Sequence, residues 1–354
     1  MSPSTARPQV AAPDAVHTPV AHEAPDRPPR ASASVLLLRE GARGPEVLLL
    51  RRHPGTEVLG GYYVFPGGKL DAADCTPDWL PVLDQPEADF VHQLNEPHTP
   101  SAQARGLHLA ALRELHEEAG VLLAAPAEGA QAIGHSAAAR ADRPKTGAGC
   151  APGVPGMEGA VDAAGAAERA RSLGLWPPLA LQQRLQQGQA WPEALSAHGL
   201  QAHTAALRPW SRWITPRSPV VGTARFDTRF FLALLPPGQQ AQPDQREAVE
   251  ALWLAPREAL QRHWTHELEL IAPQLMALAE LARFDSAAAA WQQALARRAP
   301  CIEPAPFAEG ALRGLCYPGD PCHPQPVRVL PGPTRLRVLG RRFEPVDGFE
   351  GWFA

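Results

Sequence analysis

Residues 111–121, ALRELHEEAGV, constrain this chain more than any other stretch. At about 100° of rotation per residue, Glu114, Glu117 and Glu118 share roughly one quadrant of a helix, while Leu109, Leu112, Leu115 and Ala119 take the opposite side. An amphipathic helix with a solvated acidic face describes the pattern. It leaves the electrostatic cost unexplained. Like charges three and four residues apart repel by roughly a few tenths of a kcal/mol per pair, and these three crowd the last turns before Gly120, the negative end of the helix dipole. A hard divalent cation held by carboxylate oxygens relieves both costs. Gly120 is a left-handed helix stop, and Ser101 is the expected N-cap of a helix over 102–119. Upstream, Phe65-Pro66-Gly67-Gly68 supplies a tight turn whose backbone can approach an ion or a diphosphate closely.

Together these stretches resemble the Nudix box. That family's pattern sets a glycine, five residues, a glutamate, seven residues, then Arg-Glu-apolar-x-Glu-Glu-x-Gly-apolar. Its second half runs here as Arg113, Glu114, Leu115, His116, Glu117, Glu118, Ala119, Gly120, Val121, and its first as Gly68 with Asp74 in the glutamate's place. Between Asp74 and Arg113 lie 38 residues where the family has seven. A box split at this point and preceded by FPGG, two residues and DAAD resembles one branch of the family.

The resemblance implies an α/β protein: an α/β/α sandwich around a mixed β-sheet, with a small helical insertion and a C-terminal extension. It implies metal-dependent hydrolysis of a diphosphate linkage in a nucleoside diphosphate derivative. Mg²⁺ or Mn²⁺ would be held by Glu114, Glu117, Glu118 and the carbonyl of Gly67 or Gly68, with Arg113 orienting the carboxylates. The proton acceptor is left open between Glu114 and a carboxylate at a later strand, Glu247 leading it as first candidate and Glu250 within it as second. The branch acts on coenzyme A and its acyl esters, which sets the expected substrate ahead of nucleotide sugars. The coenzyme A signature of the family, however, places an arginine where this chain has Glu57, four residues before Gly61. An inert Nudix-fold binding module is the competing class; it would be expected to lose box carboxylates, and all three on the helix are present.

The rest of the chain divides by composition. Residues 1–30 read as a disordered tail, 31–283 as the hydrolase domain with insertions at 75–100 and 124–204, and 284–354 as the extension. The prolines of 75–100 preclude a long helix there, so that segment is expected to loop out and return. The Ala, Gly and Pro-rich run to about residue 165 has too little large apolar surface to offset its ordering entropy, and 171–200 regains a helical pattern. Apolar runs at 33–38 and 46–51 read as a strand pair, with further strands at 62–65, 225–235 and 248–254, helices after Pro256 and over 266–283, and a terminal hairpin about Gly340. Arg51, Arg52 and Arg225, with Gly67 and Gly68, are the candidate substrate-binding residues, since cations suit a diphosphate. Trp176, Trp191, Trp210 and Trp213 either anchor packing or stack an adenine ring, and the segment 171–213 that bears them could line an apolar channel for the substrate.

A net charge of −4 shows no basic nucleic-acid footprint, and no stretch suits a membrane span. The expected partner is therefore a small-molecule nucleoside diphosphate derivative, with the extension offering contacts for a homodimer. Five cysteines make no disulfide framework and fit a reducing compartment, and Cys316, Cys322 and His323 match no zinc spacing. Some eukaryotic relatives in this branch are peroxisomal; the ending Gly-Trp-Phe-Ala is no peroxisomal address, so the expected location is the cytoplasm.

Overall fold

The computed structural model describes residues 28–56, 58–127, 179–217 and 224–354. Most of the expected tail, Glu57, Trp176 and much of the second insertion lie outside the described residues.

Strands β1 (Arg30–Gly41) and β2 (Gly44–Arg52) form the expected antiparallel pair, with Leu38 opposite Val47 and Gly41 opposite Gly44. Short strands β3 (Tyr63–Val64) and β4 (Gly67–Lys69) then pair with β2 and β1. β5 (Ala124–Pro126) and β6 (Leu200–Ala202) make a small separate ribbon. β7 (Arg208–Ile214), β8 (Phe226–Leu234), β9 (Ala248–Leu254) and β10 (Cys301–Ile302) complete a mixed eight-stranded sheet, ordered β10-β7-β8-β1-β2-β3 with β4 on β1 and β9 on β2. β1 runs parallel to β8 and antiparallel to β2. Because β1 is covered on both faces, residues 35–38 form a continuous apolar run with no alternation.

The period of two sorts the strands' side chains between two layers. Val35, Leu37, Leu48, Leu50 and Phe231 pack beneath α1 (Glu87–Leu94) and α2 (Ser101–Ala119). The small helices α3 (Leu179–Gln186) and α4 (Trp191–Ala197) cover that same layer. On the other side, Leu36, Leu38, Val47, Leu49 and Phe230 pack against α5 (Pro256–Trp264), α6 (Ala272–Leu281) and α7 (Ala287–Ala296). The result is the expected α/β/α sandwich.

Several boundaries depart from the sequence reading. Residues 75–100 do not simply loop out. They fold as 3₁₀ turns at Ala72–Cys75 and Pro77–Val82 followed by α1, and Trp79, Val82, Phe90 and Leu94 are buried in the α2 layer. The prolines do keep each piece short, but enough apolar surface lies between them to hold the segment on the core. The N-cap of α2 is Pro100, one residue before the expected Ser101. The helix expected from 266 begins only at Ala272, because Pro273 is tolerated in a first turn and not in a helix interior.

The C-terminal residues add a second sheet, β11 (Ala305–Glu309), β12 (Leu312–Cys316), β13 (Arg335–Leu339) and β14 (Arg342–Pro345), with β13 and β14 forming the hairpin about Gly340. Leu315, Tyr317, Leu336, Phe343 and Trp352 belong to the same apolar cluster as α5, α6 and α7. Among the described residues no helix is long and apolar enough to cross a membrane.

Candidate active site

The two halves of the split box meet at the start of β4 and the end of α2. Gly67 donates its backbone N–H to Glu118 Oε2 at 2.9 Å. Gly68 sits still closer to the helix: a β-carbon built on it would lie 2.2 Å from Glu114 Oε1, so the carboxylate occupies the space a side chain would need. Gly67 is fixed for a different reason. Its φ is 157°, and a β-carbon there would lie 2.4 Å from Ala33 O, because β4 presses against β1. Helix α2 stops at Gly120, whose φ of 67° places it in the left-handed region, and its N–H caps His116 O at 2.8 Å.

Arg113 gathers the acids. Its Nε and Nη2 donate to the two oxygens of buried Asp74, both at 3.0 Å, while Nη1 donates at 2.9 Å to both Glu114 Oε1 and Glu117 Oε2. A fifth bond runs from Nη2 to Lys69 O at 3.2 Å. These contacts hold its guanidinium in the charged form against burial, and its pKa is raised. With its fork committed in this way, Arg113 ties the DAAD turn to the helix and orients the carboxylates.

Burial dominates the chemistry of the helix acids. It pushes Glu118 up to about 8, opposed by the Gly67 N–H and Arg52 and reinforced by Glu114 and Glu247. It pushes Glu114 up to about 7, opposed by Arg113 and reinforced by Glu117 and Glu247. A carboxylate whose anion is this costly calls for a strong positive partner. Among the described residues no three metal-ligating side chains already converge on one point. The donor set still fits a hard cation, since it consists of carboxylate oxygens beside a glycine turn that carries no side chain of its own.

Glu247 is brought here by a loop that sequence reasoning overlooked. Asp244 Oδ1 accepts from the N–H groups of Arg246, Glu247 and Ala248 at 3.1, 3.0 and 2.8 Å. The same loop docks on the end of α2 through Gln242 N to Ala119 O at 2.9 Å and Asp244 N to Glu118 O at 3.3 Å. The signal was an aspartate three residues before the candidate acid, a spacing that favours side-chain capping of a turn. Glu247 remains largely exposed, with a carboxylate oxygen 3.9 Å from Arg52 Nη2.

The two candidate arginines of β2 part company. Arg52 lies on the α2 side, with Nη1 3.7 Å from Glu118 Oε1 and Nε donating to Val58 O at 3.2 Å. Arg51, one residue earlier, lies on the opposite face. There Glu250 accepts a hydrogen bond of 2.7 Å from the Tyr63 hydroxyl and stands 3.9 Å from Arg51 Nη1. Arg51, Glu250 and Tyr63 are register partners across β9, β2 and β3, and Tyr63 packs in the layer beneath α5 to α7. Arg51 and Glu250 therefore lie on the sheet face away from the α2 carboxylates. Arg225 also stands apart, donating through Nε and Nη2 to Thr215 O and through Nε to Pro216 O.

The described tryptophans anchor packing. Trp210 is fully buried against Phe284 and beneath the Arg297 guanidinium, and Trp213 packs edge-on to Tyr317. Both anchor the layer opposite α2. Trp191 instead stacks on Trp79 and meets His116 of the box helix.

Comparison with known proteins places the chain in a family. Residues 19–283 match the NUDT19 Nudix domain family. The acyl-coenzyme A diphosphatase NUDT19 of Gallus gallus is 30% identical over 289 residues, covering 73% of this chain and 69% of the relative. Its Homo sapiens counterpart is 32% identical over 268 residues, covering 69% of this chain and 62% of the relative. A solved NUDIX hydrolase from Alicyclobacillus acidocaldarius aligns with 77% of this chain and 97% of its own at 24% identity and a TM-score of 0.49. The match spans three quarters of the sequence and includes both halves of the box: this chain belongs to the NUDT19 Nudix domain family of Nudix hydrolases.

Proposed function

We propose that this chain hydrolyses the diphosphate linkage of coenzyme A or its acyl esters with the help of a divalent cation, Mg²⁺ or Mn²⁺. The observation that carries the reading is the reunion of the split box, with Glu118 on the Gly67 N–H and Glu114 against Gly68. The acyl-coenzyme A diphosphatases that share the family supply the substrate class.

Glu114, Glu117, Glu118 and the Gly67 carbonyl would hold the cation. When bound, it neutralises phosphoryl oxygens and lowers the pKa of a coordinated water. The chain's own residues do the remaining work. Arg113 keeps Glu114 and Glu117 turned toward one another. Arg52, on the acidic face, is placed to receive the diphosphate's negative charge. The attacking water gives up its proton to Glu114, which shares the Arg113 fork, or to Glu247, which stands exposed beside Arg52. Water adds at phosphorus and the bridging oxygen departs, so coenzyme A gives phosphopantetheine and adenosine 3′,5′-bisphosphate. An acyl-CoA gives the acyl-phosphopantetheine instead. Residues 31–283 form the catalytic unit in this reading, with the extension supplying part of its core.

The test is kcat/KM for coenzyme A, an acyl-CoA and a nucleotide sugar under the same Mg²⁺, with products identified by mass. A preference for the coenzyme A compounds supports the reading. Preference for the nucleotide sugar would assign the chain to the other substrate class, in keeping with Glu57 at the signature arginine position.

A further inference from the structure

An unsplit box has seven residues between the acid that follows its glycine turn and the arginine of its helix. Here 38 residues intervene, and a loop of that length leaves the relative placement of its ends weakly determined. The placement must come from packing, and three sets of contacts supply it. The first is the Arg113 fork on Asp74. In the second, buried Arg105 of α2 donates through Nη2 to Cys75 O at 2.6 Å and Thr76 O at 3.0 Å, and pairs with Glu87.

The third comes from the second insertion. Trp79 Nε1 donates to Ala73 O at 3.0 Å, next to Asp74 in the DAAD turn. Its ring stacks on Trp191 with centroids 6.5 Å apart and planes 26° from parallel. Trp191 in turn stands edge-on to His116, centroids 5.2 Å apart and planes at 88°. At about 100° per residue His116 lies on the side of α2 away from Glu114, Glu117 and Glu118, so Trp191 braces the helix from behind its acidic face. The two insertions are also fastened together: Asp84 accepts from Thr204 N and Ala205 N at 3.0 Å each, and Leu83 bridges Ala202.

We propose that Trp191 is a positioning residue for the split site. Wedged between Trp79 and His116, it holds the DAAD turn and the acidic face of α2 at the spacing that lets Glu114, Glu117 and Glu118 share a cation. The second insertion thereby replaces noncovalently the short tether of an unsplit box. This inference rests on the metal-site reading above.

The experiment compares Trp191→Ala, Trp191→Phe and Glu118→Gln in the full chain. It measures Mn²⁺ binding to the substrate-free protein by electron paramagnetic resonance, together with kcat, KM and melting temperature. Supporting residues around metal ligands typically contribute about 10- to 100-fold in affinity. Trp191→Ala should therefore weaken Mn²⁺ binding by about tenfold and lower kcat similarly with KM little changed, and Trp191→Phe should restore both. Wild-type Mn²⁺ binding and kcat in Trp191→Ala, whatever its melting temperature, would overturn the proposal and leave Trp191 as packing alone. Where the alanine variant fails to fold, Trp191→Leu is judged by the same criteria, since it keeps apolar bulk and removes the ring. Glu118→Gln separates the two readings. If it binds Mn²⁺ as wild type does, the metal-site reading fails; if it loses binding while Trp191→Ala keeps it, only the positioning role fails.

Discussion

The Gly67 N–H points at Glu118 across 51 residues of sequence, 2.9 Å from its carboxylate oxygen. That one bond places the glycine turn on the acidic end of the box helix. Replacing Glu118 or Glu117 by Gln should reduce turnover by about two orders of magnitude or more, because each removes an anionic ligand from the cation that activates water. Neither variant should melt below the metal-free wild type by more than a degree or two, since each relieves carboxylate repulsion on α2. Steady-state rates at saturating Mg²⁺ with parallel melting curves check this, and full activity in either variant contradicts the site.

The adjacent glycines should respond differently to a methyl group. Gly68→Ala meets the Glu114 carboxylate first, the end of a flexible side chain that can swing aside. It should fold normally yet lose activity by about a hundredfold, the scale of an ångström's misplacement at a reacting centre. Gly67→Ala meets the backbone of Ala33 and Ser34, so it should lower the melting temperature as well. Equal stability losses in the two variants would refute the distinction.

Arg51 and Arg52 provide a test of the sheet's two faces. Arg52→Met should lower kcat/KM by about tenfold or more, because it removes a cation beside Glu118 and Glu247. Arg51→Met disturbs only the exposed pairing with Glu250 on the other side, and should change kcat/KM by less than about threefold. The reverse order would place the substrate on the face away from α2.

His108 offers a pH-dependent prediction remote from the site. It is completely buried between Phe90 and Phe231, and burial pushes its pKa down to about 4. In the unfolded chain it titrates near 6.5. The unfolded state therefore binds the extra proton first, so its contribution is fully present above pH 6.5 and is lost as pH falls toward 4. Relative to His108→Phe, wild-type stability should decline by about 1.4 kcal/mol per pH unit through that window. Urea unfolding of both proteins at matched pH measures the difference, and other groups cancel in the comparison. Parallel pH profiles would exclude a buried neutral histidine.

Much of this protein is local in origin, and the sequence by itself determined that part. The helix ending at Gly120, the strand pair β1 and β2, the strand over 248–254 with Pro256 opening the next helix, and the three carboxylates on one face follow from period, capping and proline geometry, which act over a few residues. The acids' identity as a cluster was equally legible, since helical spacing alone aligns Glu114, Glu117 and Glu118. Their partners were not. Whether Arg51 or Arg52 faces the acids turns on the sheet register, where a single residue's shift reverses the face. Glu250 meets Tyr63 for the same reason. The loop that delivers Glu247 depends on Asp244 docking at the end of α2, and the fastening of residues 75–100 depends on Arg105, Trp79 and Trp191 meeting across as many as 112 positions. Such contacts are settled by which surfaces the folded chain buries together, and no short-range pattern encodes them; that is why only the tertiary structure could decide which candidate residues share a site.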